Sequence, residues 1–365
     1  MEDKTNENTK KKYISRVDEM LEEMKNYKPS FLIDQILPAN TVDMLVAEPK
    51  AKKSFLAITM AGAIASGSPW LDRFSVKQSP VLYLNLEVAP EYFGEMLNKT
   101  LGYDYHGELY IAHNNFTAPF KFYISSYKTT QKMKDGRIVS GIKKLDINPE
   151  AKHAIEEFHS IVPNLGLIII DSFRRSTSAN ENDSSEVSMY FNAISQLRDL
   201  FKGATILIIH HATKNPSDPN NPLKTVRGSG DLLASIDNLY QLIPQRSESA
   251  SGRELLTLKT DYGRIKLNSE YVSGIDIGVY DYKDEQGRPR INFVFHGAAY
   301  EGATKTEQSK SKIKELLELN GKMSYSQIIG ECSGISETTI KTALKNLKEA
   351  GEIKQNKDGL YELPK

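Results

Sequence analysis

The sequence predicts an α/β fold with a mostly parallel sheet, followed by a small C-terminal unit of helices closed by a hairpin. Three observations carry this. Strand-length apolar runs (Val42–Ala47, Val81–Leu86, Leu109–Ala112, Leu167–Ile170, Thr205–Ile209) interleave with helical segments (Ser54–Ser66, Pro90–Thr100, Pro149–Ile161, Glu186–Lys202). Apolar strands separated by helices belong to a parallel sheet covered on both faces. After Asn238 strands follow without helices, at Leu239–Ile243, Leu255–Lys259, Tyr280–Tyr282 and Ile291–Phe295, which predicts an antiparallel extension at the sheet edge. Finally, Lys310–Lys365 reads as three helices and two short strands around the turn Lys357-Asp358-Gly359.

Composition narrows the class. The 365 residues suffice for two or three domains. Net charge is zero, so any contact with a polyanion rests on local patches. A single cysteine, Cys332, excludes an intrachain disulfide and a cysteine-based zinc site, and fits a reducing compartment. No apolar run approaches the ~18 residues that span a bilayer. Residues 1–13 are polar and lysine-rich rather than signal-like. A cytoplasmic protein with no membrane partner is expected.

The expected organisation is a helical arm over 1–30, a core over 31–302, a linker over 303–311 and a terminal unit over 312–365. The arm has Tyr13, Ile14, Val17, Met20, Leu21 and Met24 at helical spacing and reads either as a docking arm or as a solvated helix. Two stretches read as insertions: the lysine-rich hairpin Ser125–Asp146, and the Pro-, Asn- and Asp-rich loop Asn215–Pro222.

Ala47-Glu48-Pro49-Lys50-Ala51-Lys52-Lys53-Ser54 follows a strand and opens a helix. That is the position and length of a P-loop, G-x-x-x-x-G-K-[ST]. The chemistry asks for N–H groups turned around an anion, a helix N-terminus, a lysine on phosphate and a hydroxyl on Mg²⁺. Glu48, Pro49, Lys50, Ala51, Lys52, Lys53, Ser54 and Phe55 are the candidate ATP-binding residues. Ala47 and Lys52 replace the two glycines. Taken alone, the segment reads equally as a basic turn before an amphipathic helix.

Other strand ends supply candidates. Glu87 closes the strand Val81–Leu86, where a carboxylate can polarise the water that attacks a γ-phosphate; the plainer reading is a helix-entry glutamate. Asp171 follows four apolar residues, the Walker B pattern, and with Ser54 is the candidate Mg²⁺ ligand. His210 and His211 follow Ile209; neighbours on a strand point to opposite faces, so the pair is no metal site. Arg227 follows a long loop and can reach a neighbouring subunit's phosphate as an arginine finger. Lys259, read as the end of a strand, can do the same. For both, a surface ion pair is the plainer reading.

In order, these segments resemble a family: the P-loop candidate, Glu87, Asp171-Ser172-Phe173-Arg174-Arg175 with Glu181-Asn182-Asp183-Ser184, His210-His211-Ala212-Thr213-Lys214, Arg227-Gly228-Ser229, and Lys259-x-Asp261-Tyr262-Gly263. The set is similar to the RepA-type hexameric replicative helicases of plasmids and mobile elements, a branch of the RecA/DnaB-like ATPases, over about Phe31 to Gly263. The resemblance implies a RecA-like core and a ring, hexameric or otherwise, with ATP sites between subunits. It further implies Lys53 and Ser54 on Mg²⁺-ATP, Glu87 as catalytic carboxylate, Asp171 as Walker B residue, His211 as sensor and Arg227 as finger. Loops Arg174–Ser185 and Thr213–Val226 would face single-stranded DNA, with Arg174, Arg175, Lys214 and Lys224 on its phosphates.

The terminal unit resembles a winged helix-turn-helix. Ser336 caps its third helix, on which Thr338, Thr339, Lys341, Thr342, Lys345 and Lys348 read as outward. Lys341 and Lys345 are the candidate contacts to double-stranded DNA; the plainer reading is a protein-contact module. Three functions are weighed: an ATP-driven DNA helicase or translocase, a DNA-binding regulator on a weakened ATPase core, and a RecA/RadA-like recombinase. The last lacks an N-terminal polymerisation motif.

Overall fold

A computed structural model describes residues 16–25, 28–114, 121–213, 225–226, 228, 230–245, 254–263, 274–299, 305–332 and 335–364. The chain divides into two compact units, Met1–Ser30 and Phe31–Lys365. The first holds α1 (Val17–Met24), on which Val17, Met20, Leu21 and Met24 are all exposed. Tyr13 and Ile14 lie outside the described residues.

The second unit begins with a short pair, β1 (Phe31–Ile33) and β2 (Leu37–Pro38). Then come β3 (Val42–Ala47), α2 (Lys53–Ser66), β4 (Val81–Asn85), α3 (Pro90–Leu101) and β5 (Leu109–His113). The expected insertion is a long antiparallel hairpin, β6 (Ile124–Lys132) and β7 (Ile138–Ile147). It is followed by α4 (Pro149–Ile161), β8 (Leu167–Asp171), α5 (Phe173–Ser176), α6 (Ser184–Leu200) and β9 (Thr205–His211). Local caps fix the helix starts: the Asn148 side chain accepts from the Glu150 N–H at 3.0 Å, and Asp183 from Glu186 at 3.0 Å. After α7 (Gly230–Ala234) come β10 (Asn238–Pro244), β11 (Glu254–Gly263), β12 (Ile275–Lys283) and β13 (Pro289–Ala298).

One nine-stranded sheet results, in the order β13-β12-β11-β10-β3-β9-β8-β4-β5. From β10 to β5 every pairing is parallel; β11 to β13 are antiparallel. The antiparallel extension therefore starts at β11 and not, as the missing helices suggested, with the strand after Asn238: β10 pairs with β3 in parallel. Alternation along the strands divides two cores. Leu45, Tyr83, Ile169 and Leu207 face α2 and α3, while Met44, Leu82, Ile168 and Ile206 face the side of α4 and α6. Burial on both faces is why these strands read as continuous apolar runs. The sheet is the RecA-like α/β architecture that the sequence predicts.

At the C-terminus α8 (Lys305–Asn320), α9 (Tyr325–Glu331), α10 (Glu337–Glu349) and the hairpin β14 (Lys354–Gln355)/β15 (Tyr361–Glu362) close on their own core, including Ile313, Leu317, Ile340 and Leu344. Ser336 caps α10, accepting from the Thr339 N–H at 3.2 Å. The expected linker 303–311 needs correction: α8 begins at Lys305, because that polar stretch lacks proline and glycine and the helix runs on through it. Cys332 is buried, which pushes its thiol up to about 11 and leaves it protonated at neutral pH. No helix among the described residues is long and apolar enough to cross a membrane.

Candidate nucleotide-binding site

Because β3, β4, β8 and β9 are parallel, their C-terminal ends share one sheet edge. Ala47 lies opposite His211 and Asn85 opposite Asp171. β3 runs into loop 48–52, which opens α2. Lys50 (φ 68°) and Lys52 (φ 60°) both hold the left-handed conformation. That conformation is free to glycine and costs other residues about 1–2 kcal/mol. The turn is thus made without either P-loop glycine. Left-handed residues in such a turn fold successive N–H groups toward one point, as an anion requires. α2 has no side-chain cap and no acidic residue in its first turn, so its leading N–H groups suit phosphate. The loop fits the phosphates of ATP on these grounds.

Lys53 is buried, and its Nζ donates to the carbonyls of Ala47 (3.2 Å) and Glu48 (3.0 Å). Burial lowers its pKa, while the charges of Asp171 and Glu87 draw it up. Ser54 stands close enough to Asp171 to lower its pKa, the proximity expected of two groups that would hold Mg²⁺. Burial pushes the Asp171 carboxyl up; Ser54 and Tyr83 hold it down. Tyr83, on β4, donates to Asp171 Oδ2 at 2.7 Å. Nothing in the sequence singled out Tyr83: it is one aromatic among apolar strand residues, and its partner lies on another strand.

Glu87 follows β4 in a turn pinned by Asn85, which donates to the Val88 carbonyl at 2.7 Å and accepts from its N–H at 3.2 Å. Ser172 Oγ donates to Glu87 Oε2 at 2.8 Å, and His211 Nε2 lies 3.8 Å from the same oxygen. His211 and Ser172 hold the Glu87 carboxyl down at about 2, against burial. His210 turns the other way and packs edge-on to Phe173, as alternation predicts. Among the described residues no cluster could hold a metal through three His, Cys or acidic side chains.

Glu87, Ser172 and His211 line a cleft of about 650 Å³ with Arg174, Arg175, Tyr123, Thr177 and Ser178. Arg174 and Arg175 are exposed on α5, so this part of the expected DNA loop is a helical turn. Phe55 packs against the core near α3, with Lys99 over its ring at 5.9 Å. Glu48, Pro49 and Lys50 are exposed and Ala51 is buried. Lys259 is a correction. It sits inside β11, in register with Gln241, and is buried because the strand continues to Gly263. It is therefore not at the end of a strand. Arg227, Lys214 and Lys224 lie outside the described residues. On α10, Lys341 and Lys345 are exposed, Lys345 lying 3.8 Å from Glu349.

Lys52 reaches away from the loop, its Nζ 2.9 Å from Glu254 on β11. A part-exposed ion pair of this kind contributes about 0–1 kcal/mol. Lys52→Gly removes it and adds chain entropy, yet relieves the left-handed strain. The variant is expected to bind ATP within about fivefold of wild type. A loss well beyond that in a direct titration would mean that the Lys52 ammonium serves the phosphates.

The fold and this edge together define a RecA-like P-loop protein of the nucleotide-binding ATPase class. Residues 15–217, which include the loop, Glu87, Asp171 and His211, match the model of the family described as AAA domain, and the chain belongs to that family. Among solved structures, the KaiC-like protein PH0186 from the hyperthermophilic archaeon Pyrococcus horikoshii OT3 is similar at 12% identity and a TM-score of 0.40, over 73% of this chain and 99% of its own.

Proposed function

We propose that this protein is an ATP-driven motor on single-stranded DNA, a helicase or translocase of a plasmid or mobile-element replication system. The observation that supports it is the shared cleft: Glu87 and His211 of the nucleotide edge lie in one cavity with the exposed Arg174 and Arg175. A carboxylate that aligns water beside guanidiniums that take phosphate can couple nucleotide state to a bound strand. Lys53 and the loop N–H groups hold the phosphates. Mg²⁺, held by Ser54 and Asp171 when bound, neutralises phosphate charge. Glu87, fully ionised, orients the attacking water, and Tyr83 positions Asp171. The resemblance to RepA-type helicases supports a ring in which Arg227 of one subunit serves its neighbour's site. The C-terminal unit, with Lys341 and Lys345 exposed, acts as a winged helix on double-stranded DNA.

A second reading, a DNA-binding regulator with a weak ATPase core, draws on the two lysines held left-handed in the phosphate loop. Steady-state ATP hydrolysis with and without single-stranded DNA separates the two. The motor reading expects stimulation by DNA, and a fall of about 10²-fold or more in Lys53→Ala. Absence of hydrolysis with DNA binding intact would leave the regulator.

A further inference from the structure

Resting on the DNA reading above, we infer that the β6–β7 hairpin is a second binding surface for the phosphate backbone of single-stranded nucleic acid, continuous with the Arg174/Arg175 cleft. The chain as a whole is neutral, yet residues 124–147 hold six Lys or Arg (Lys128, Lys132, Lys134, Arg137, Lys143, Lys144) against Asp135 and Asp146. The ladder sets Lys128 opposite Lys143. Like charges at directly opposed positions weaken an antiparallel pair, so stability of the hairpin does not account for their placement.

The hairpin base is anchored by burial and hydrogen bonds. Phe122, Ile124, Leu145 and Ile147 are buried in the core on the α6 side. Ile124 bridges Thr177, whose Oγ1 donates to the Ile124 carbonyl at 2.8 Å, and the Ser178 N–H donates to the same carbonyl at 3.1 Å. Thr177 and Ser178 line the arginine cleft, as does Tyr123 at the foot of β6. The ring of Tyr123, with Lys121 Nζ 5.9 Å over it, offers a face on which a base can stack. The far turn, Met133 to Arg137, is exposed throughout. A nine-residue strand extends about 30 Å, so a strand leaving the cleft can follow the hairpin past several phosphates. At the tip Arg137 is paired to Asp135, 2.6 Å apart. The lysines of the two strands are therefore the ones to change.

The test is binding of a labelled oligo-dT of about 20 nucleotides to the full chain across a salt series. Lys128→Gln/Lys143→Gln/Lys144→Gln is expected to weaken binding at low salt about 10- to 100-fold. It should also flatten the log–log salt slope by about 0.7 for each lysine that contacts phosphate. The Lys→Arg triple is expected to bind like wild type, which separates charge loss from misfolding. DNA-free ATP hydrolysis should be unchanged in both. Wild-type affinity and slope in the Gln triple, with binding lost in Arg174→Ala, would overturn the hairpin inference and keep the DNA reading. Failure of the wild type to bind the oligonucleotide overturns both. If the Gln triple loses only binding to phosphatidylserine vesicles, the partner is a membrane and the inference is wrong.

Discussion

Glu87→Gln is expected to lower ATP hydrolysis by about 10²–10⁴-fold while leaving nucleotide binding near wild type. Glutamine keeps the size of the side chain and can still accept from Ser172, but it carries no charge with which to polarise water. The binding groups, Lys53, Ser54 and the N–H groups of loop 48–52, are untouched. The carboxyl is held at about 2 by His211 and Ser172. A base that weak takes a proton poorly, so its work is orientation and electrostatics rather than full proton abstraction. Its folded-state pKa lies below the ordinary 4.5, so the charge is lost only as pH falls toward about 2. The rate profile of the wild type should therefore show no limb from Glu87 above about pH 4. Parallel rate and affinity measurements check this. A Gln variant within tenfold of wild-type rate would remove Glu87 from the mechanism.

The opposite edge of the sheet holds the largest expected effect on stability. Asp43, near the start of β3, is fully buried. Its Oδ1 accepts from Asn238 Nδ2 at 2.7 Å and its Oδ2 from Thr41 Oγ1 at 2.9 Å. Nearby, the Tyr240 hydroxyl donates to the Ile36 carbonyl at 2.8 Å. Burial dominates and raises the carboxyl from 3.8 to about 7, with nearby Asp237 adding to the rise. The folded state thus favours the protonated acid. Its contribution to stability is complete below about pH 4, falls as pH rises, and is gone above about 7. At about 1.4 kcal/mol per pH unit, the total is about 4 kcal/mol.

Asp43→Asn keeps the shape and offers an N–H₂ to Thr41 Oγ1, but cannot ionise. Its stability relative to wild type should therefore improve between pH 5 and pH 8 by about 2 kcal/mol or more. Urea unfolding at the two pH values measures this. Equal differences at both would show that Asp43 is not the titrating group.

Much of this was legible along the chain. The lengths of the parallel strands and of the helices between them were, because burial on both faces of a parallel strand leaves an apolar run and burial on one face of a helix leaves a spaced one; the antiparallel strands run longer than their apolar stretches. The hairpin over 124–147 and the helix start at Ser336 were legible from turn and cap residues that act within a few positions. So were Lys53, Ser54, Glu87, Asp171 and His211 as candidates, since each stands at the end of a readable strand or the start of a helix. Tertiary structure alone decided the rest. Local pattern does not say that β10 joins β3 in parallel, or that Lys259 lies within β11 rather than at its end. It does not show that Lys50 and Lys52 turn left-handed, Lys52 at a position where a P-loop has glycine. Tyr83 meets Asp171 across 88 residues of sequence, Lys52 meets Glu254 across 202, and Asp43 meets Asn238 across 195. Periodicity records how deeply a residue is buried; strand order chooses what it is buried against, and that order comes from packing whole elements over distances no local pattern spans.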